Sequence, residues 1–354
     1  MQLQQTSKTA EGIKMGANTN ENVTPLPLVT EQDLINTYSK EEQLSSQKYA
    51  EYLELIKMNP TMGYKKAAKL LEIKSGQTRW WHTKGEKKAI PLPLKVTEKL
   101  KNAGLIPFYE TNPSSPIIFN MLGTLFGDGG IDVRLNTVAF ISSDKKEVDL
   151  WLNDLTTIFP FAKESINIIE GGEYGHSYNG RCFDRAVIRF FAALGAPVGD
   201  KVTISYTLPK WISSIVEKSR TSFLDGYLAS EISVVQWRSD LFGNYRFNNF
   251  SLGVSKIEEL ENEHRSFLQN VEKLLESVGI ATTKNIHKNY SAGRARKDGL
   301  ITANYRIFIR TTFDRVLFFN EKFELRYAKG KKERFNAVIK QAIEEKNHKR
   351  SQTK

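Results

Sequence analysis

The 354-residue chain has a single cysteine, Cys182, so it can form neither an internal disulfide nor a cysteine-based zinc site. A lone thiol of this kind most often serves as a small buried hydrophobe, and such scarcity suits a reducing compartment. Long apolar runs are also missing. No stretch approaches the roughly twenty residues that span a bilayer, and the polar N-terminal segment lacks the apolar core of a secretory signal. These absences predict a cytoplasmic protein with no membrane partner. Acidic residues are under-represented: 40 Asp and Glu face 51 Lys and Arg, a formal charge of +11 and an isoelectric point near 9.4. That balance favours a polyanionic partner, nucleic acid first, although ribosome-associated and membrane-surface proteins share it. With 40% hydrophobic residues over this length, the chain can bury more than one core and is expected to form two or three domains.

Residues 1–30 are rich in Gln, Thr, Asn and Glu and predict a disordered arm, while 346–354 read as a basic tail. Between about 31 and 110 the pattern is helical. Its centre, AAKLLEIKSGQTRWW over residues 67–81, follows a helix-turn-helix: Ala68 permits a close crossing, Leu71 and Ile73 pin the turn, and Ser75 begins the second helix. Gln77, Arg79 and Lys84 would then face a DNA groove or its phosphates. Glu72 stands where that pattern usually has glycine, and a plain helical bundle with Trp80 and Trp81 in its core is the competing expectation. Pro91, Pro93 and the stretch 107–116 mark a linker, beyond which the chain has mixed helix and strand character.

Two segments in the larger region resemble each other: MLGTLFGDG at 121–129 and LDGYLASEI at 224–232. Ser115 and Pro116 suit the start of the first helix; Ser219, Thr221 or Ser222 could cap the second. Small residues recur four apart, Gly123 with Gly127 and Gly226 with Ser230. Glycine inside a helix costs about 1 kcal/mol relative to alanine, which close backbone packing of two helices would offset. If the helices pack side by side and parallel, Asp128 and Glu231 converge at one end. Mutual repulsion and two negative helix-dipole ends then predict a bound cation, with hard carboxylate oxygens selecting Mg²⁺ or Mn²⁺.

These paired motifs resemble those of the LAGLIDADG homing endonucleases in their single-chain, two-motif form. The spacing of the acids, 231 − 128 = 103 residues, suits one domain length. ALGAPVGDK at 193–201 with LPKWI at 208–212, and more loosely LLESVGI at 274–280, extend the likeness over about 115–345. The second motif ends in Ile232 rather than glycine, which leaves the end of its helix open. The resemblance implies an α+β fold of two pseudo-symmetric αββαββα halves, 115–218 and 219–345, forming a DNA-binding saddle behind a small all-α, helix-turn-helix-like domain at 31–110. Segments 137–142, 246–254 and 304–310 have the composition of its strands.

It further implies a monomeric, metal-dependent endonuclease that hydrolyses one phosphodiester in each strand of double-stranded DNA and leaves short 3′ overhangs. Asp128 and Glu231 would hold the metal. Lys145 and Lys256 are candidates for the basic residue beside each ion, with Ser142 and Ser255 fitting nearly as well by spacing. Arg134, Arg238, Arg246, Arg306 and Arg310 are candidate DNA contacts. An RNA maturase acting on intron RNA, or a non-cleaving DNA-binding regulator, would use the same fold. A structural nucleic-acid protein would use the doubled helix for packing alone. An intein would need a Cys or Ser at its start and a His-Asn pair at its end, which Met1 and the closing SQTK do not provide.

Overall fold

The computed structural model describes residues 26–83, 89–172, 175–239, 244–290, 296 and 298–352. Most of the arm expected at 1–30, and Lys84, lie outside them. The chain opens with α1 (Glu31–Asn36) and α2 (Lys40–Met58), both started by reciprocal caps. Thr30 pairs with Asp33, and Ser39 with Glu42, so that side chain and backbone satisfy each other at the first turn. Then come α3 (Tyr64–Leu70), α4 (Ser75–His82) and α5 (Leu92–Asn102).

Two cores form. Tyr49, Tyr52, Ala67, Leu71 and Trp81 make a small one that joins α2, α3 and α4. By contrast, α1 and α5 contribute Leu34, Val96 and Leu100 to the large core that runs through the rest of the chain. The helical region is thus divided between two bodies of packing, and α1 is further fixed to the larger one by Arg189, which donates to Thr37 O and lies over the Tyr38 ring.

The large region begins with α6 (Ser115–Phe126) and a four-stranded antiparallel sheet of order β1-β2-β4-β3, built from β1 (Gly130–Ile131), β2 (Val138–Ser142), β3 (Ile166–Gly172) and β4 (Gly175–Cys182). Helices α7 (Lys145–Ile158) and α8 (Arg185–Ala193) accompany it. Next come α9 (Glu217–Glu231), β5 (Gln236–Ser239) paired with β6 (Tyr245–Asn248), and a three-stranded antiparallel sheet of order β7-β9-β8. Its strands are β7 (Ser251–Ile257), β8 (Thr282–Tyr290) and β9 (Thr302–Ile309), with α10 (Glu261–Glu276) inserted and α11 (Phe313–Lys322) and α12 (Lys329–Gln352) closing the chain. The fold is α+β. Its second part departs from the expected pattern by splitting its strands between two sheets. Asn249, at a left-handed φ of 56°, breaks the chain between β6 and β7, and the Ser233 hydroxyl donates to the Asn249 and Ser251 carbonyls across the break.

Helix starts also differ in detail. Ser114 precedes α6 and Ser115 lies within it, its hydroxyl donating back to Tyr109 O. Helix α9 begins earlier than its serines suggest: Val216 is the capping position and its N–H is taken by the Glu110 carboxylate at 2.7 Å.

The centre of the molecule is the contact between α6 and α9. A β-carbon placed on Gly123 would lie 2.0 Å from Phe223 O, and one on Gly226 1.9 Å from Asn120 O. A β-carbon on Gly127 would meet Ser230 Cβ at 2.3 Å. Backbone touches backbone, as the small-residue spacing predicts. Beside this contact, buried Asp225 of α9 accepts from Asn120 Nδ2 at 2.8 Å and from the Leu325 and Arg326 amides at 2.7 and 3.0 Å. Buried Asp154 of α7 takes the Arg326 guanidinium through two bonds and the Tyr327 hydroxyl through a third. The segment between α11 and α12 therefore straps the later part of the chain onto the earlier one.

Gly226→Ala is expected to lower stability by about 1–3 kcal/mol or more, because backbone rather than a yielding side chain fills the space. Gly76→Ala on α4, where no atom lies within 4 Å of the added carbon, is expected to gain up to about 1 kcal/mol. Equal thermal unfolding midpoints for the two variants would refute the close approach.

Candidate active site at the end of the paired helices

Because Gly123 and Gly226 allow the two backbones to touch, α6 and α9 run out at the same end of the pair, with Asp128 just past one and Glu231 as the last residue of the other. A β-carbon on Gly127 would lie 3.5 Å from Glu231 Oε1, so that carboxylate leans over the end of α6. Asp128 is exposed and lines two neighbouring clefts, one of about 560 Å³ bordered by Ser142, Glu147, Ser230, Lys331 and Arg334. The other, about 460 Å³, is bordered by Asp132, Asn179, Arg181 and Asp200. Glu231 is recessed behind it.

Ile232 resolves the end of α9 without glycine: it turns extended, at φ −77° and ψ 134°, and pairs with Leu252. The carbonyls left free there are met by a lysine, as Lys331 Nζ donates to Ala229 O at 2.6 Å and to Ser230 O at 3.0 Å. The end of α6 is treated alike. Lys201 Nζ donates to Leu125 O at 3.1 Å and to the carbonyls of Gly127 and Gly129. Cations at helix C-termini offset the negative ends of the dipoles, and here they do so beside two carboxylates.

The four charges act on one another. Burial, and then the neighbouring Asp128, push the Glu231 carboxyl well above its usual range, while Lys201 and Lys331 pull it back. Asp128 is raised by the protein packed around it and pulled back by the nearby Lys331 and Lys201 amines. Burial lowers the amines of Lys201 and Lys331, and the two acids oppose this. Asp128 at the cleft, the recessed Glu231 and the buried amines of Lys201 and Lys331 form a cluster in which acids and amines compensate one another.

The lysines beside the two acids are thus Lys201 and Lys331, and the structure does not bring Lys145 or Lys256 to them. Lys145, expected beside an acid, forms a surface ion pair with Asp149 one turn along α7, at 2.7 Å. Lys256 is buried and donates to Lys201 O at 2.5 Å and to Ile204 O, with its amine 4.3 Å from the centre of the Tyr206 ring; it braces the segment carrying Lys201. Ser142 donates to Glu147 at 2.6 Å at the start of α7, and Ser255 lies on the outer face of β7 beside Asn304. Lys201 carried one available signal, its place at the end of ALGAPVGDK. Lys331, in a lysine-rich run, carried none.

Of the arginines, Arg238 on β5 and Arg246 on β6 are exposed and stand directly opposite each other in the register. Like charges so placed repel unless an anion lies across them. Arg306 projects from the face of β9 opposite buried Tyr305 and Ile307 and donates to Asn304 at 2.8 Å. Arg310 is exposed and donates to Thr282 O, and Arg134 is exposed near the β1–β2 turn. Arg181 of β4, not anticipated, sits opposite Ala139 on the side of its sheet that borders Asp128.

No family model matches the chain. Among curated proteins it resembles the tRNA-splicing ligase RtcB of Methanopyrus kandleri, 29% identical over 200 residues, which is 53% of this chain and 20% of that protein. The RtcB protein of Pyrococcus abyssi is also 29% identical, over 53% of this chain and 21% of its own length. The chain spans about a fifth of the length of the curated relatives it matches. Solved structures that resemble it include I-DmoI with its nicked target DNA and manganese, at TM-score 0.37 and 15% identity, covering 61% of this chain and 97% of that one. I-SmaMI bound to an uncleaved DNA target with calcium matches at TM-score 0.33 and 13% identity, covering 58% and 84%. No helix among the described residues is long and apolar enough to cross a membrane.

The cluster has a pH signature in metal-free protein. With its carboxyl pushed up to about 8, Glu231 binds more protons folded than unfolded, so it makes stability fall as pH rises from the ordinary carboxylate range to about that value. Glu231→Gln is expected to flatten this fall, measured as the thermal midpoint in EDTA between about pH 5 and about pH 8. Lys201, with its amine lowered to about 8, acts in the opposite sense at higher pH. Identical slopes in native and variant protein would show that Glu231 is not held protonated.

Proposed function

We propose that the chain is a site-specific, divalent-metal-dependent endonuclease of the LAGLIDADG type, cutting one phosphodiester in each strand of duplex DNA to leave short 3′ overhangs. The observation that carries this reading is the convergence of Asp128 and Glu231, one from each of two helices in backbone contact, at the rim of clefts bordered by strand side chains. Two crowded carboxylates are unfavourable alone and become favourable around a cation.

The donor set fits a particular kind of metal site. Among the described residues no group of three or more His, Cys, Asp or Glu gathers to hold an ion. Mg²⁺ is commonly bound by one or two carboxylates plus water and substrate phosphates, so Asp128 and Glu231 would hold Mg²⁺ or Mn²⁺ with the scissile DNA completing the shell. Bound there, the ion supplies charge for the developing oxyanion and a more acidic water. The protein's own groups do the remaining work. Lys201 fixes the end of α6 and Lys331 fixes the end of α9, each adding positive charge beside the acids. The facing Arg238 and Arg246, with Arg306 and Arg181, suit phosphates and base edges along the strands. Both acids belong to one chain, so a monomer suffices, with 115–218 and 219–345 as its two halves.

A second reading, RNA processing on the same surface, draws on the tRNA-splicing names of the relatives. Ligation itself is not proposed, since the match occupies only a fifth of those proteins.

A library of duplex DNAs with candidate insertion sites, incubated with Mg²⁺ or EDTA, tests the proposal. Metal-dependent double-strand cuts are expected from the native chain. Asp128→Asn and Glu231→Gln should each slow cleavage by about a hundredfold or more with DNA binding retained. Specific binding without cutting under any metal would reject the nuclease, and a gain in splicing of intron RNA would favour the second reading.

A further inference from the structure

The small core of α2, α3 and α4 is unused by the cleavage site, yet its outer surface has a strong charge bias. Residues 64–83 carry Lys65, Lys66, Lys69, Lys74 and Arg79 against one acid, Glu72, and all five basic side chains are exposed. None has an ion-pair partner among the described residues. Beside them Trp80 is 58% exposed, whereas the adjacent Trp81 is buried edge-on against Tyr49. An indole left in water on a packed helix is costly, and Ser75, Gly76 and Arg79 are exposed on the same helix.

The scaffold holding this face is rigid. Glu72 takes the left-handed conformation, φ 55°, that lets the chain turn sharply from α3 into α4. Ala67 and Ala68 are buried at the crossing, Ile73 N donates to Ala68 O at 3.1 Å, and the Thr78 hydroxyl donates to Tyr64 O at 3.0 Å. Gln77 is directed inward instead, its amide donating to Ser45 of α2 at 3.0 Å.

We infer that α3 and α4 form a second duplex-DNA contact, in which Arg79 and Trp80 enter the major groove and Lys65, Lys69 and Lys74 neutralise phosphates beside it. A helix about 10–12 Å across fits the B-form major groove, about 12 Å wide, whereas the deep, narrow groove of A-form RNA excludes it. Glu72 accounts for the turn without glycine, and the inward Gln77 restricts base contact to the exposed face. The inference goes beyond the nuclease and does not depend on it.

Its test uses the full chain in EDTA with a 40-bp mixed-sequence DNA duplex, titrated at several KCl concentrations. The triple variant Lys65→Gln, Lys69→Gln, Lys74→Gln is expected to flatten the slope of log affinity against log salt by about 2–3, since each phosphate contact contributes roughly 0.9. Trp80→Ala should weaken binding with little change in the thermal midpoint, because more than half of the residue is exposed. Arg238→Gln with Arg246→Gln reports the saddle in the same assay, and cutting is not read, so failure of the nuclease proposal leaves this result interpretable. An unchanged slope in the triple variant at an unchanged midpoint overturns the inference, as does a loss confined to an RNA duplex of the same sequence.

Discussion

The backbone contact between α6 and α9 at Gly123 and Gly226 sets the geometry of everything around it. With an added β-carbon placed about 2 Å from a carbonyl oxygen on the opposite helix, the helices cannot be this close with any other residue at these positions. Dispersion between the two backbones and burial of the flanking Phe119, Phe126, Phe223 and Tyr227 offset the poor helix propensity of glycine. The same closeness forces the helices to end together, and so places the acids together. The energetic problem at the site is thus a consequence of the packing solution.

That problem is dehydration combined with like charge. Two carboxylates at two helix C-termini face the negative ends of both dipoles, the worst place for an anion on a helix. Lys201 and Lys331 answer it by donating to the same terminal carbonyls that create the unfavourable potential. They do so through backbone carbonyls, three for Lys201 and two for Lys331, and neither amine is tied up in a direct ion pair with the acids. Asp225 and Asp154, by contrast, are fully engaged by amides, Arg326 and Tyr327. The molecule therefore contains two kinds of acid: the buried Asp154 and Asp225, each accepting three hydrogen bonds, which hold the fold, and Asp128 and Glu231, compensated by nearby charge.

How much of this was legible in the sequence follows from how local each feature is. The small-residue spacing and the terminal acid of each helix are properties of nine-residue windows, and they translated directly into the packed pair. Of the two lysines only Lys201 carried a signal, the segment that ends in it, and its role was still hidden, because Lys201 and Lys331 reach the helix ends only through the fold of the intervening chain. Spacing from the strands pointed instead to Lys145, whose amine is taken by Asp149 one turn away, and to Lys256, which lies one layer behind Lys201. The facing pair Arg238 and Arg246 needed the strand register, and the split of the second set of strands needed the left-handed Asn249. At the other extreme, Glu72 departs from the glycine of the helix-turn-helix pattern, yet its backbone takes the conformation for which glycine is usually chosen.

Each acid is fixed in two ways that do not involve its own side chain. Within its part of the chain, a lysine holds the last carbonyls of the helix that carries it; across the interface, a glycine holds that helix against the other. Lys256 adds a link between the two, since its amine, rising from β7, holds the Lys201 carbonyl and so the segment that delivers Lys201 to the end of α6. Distances set by backbone contacts vary less than distances set by rotamers. The placement of the backbones that carry Asp128 and Glu231 is for that reason a property of the helix pair.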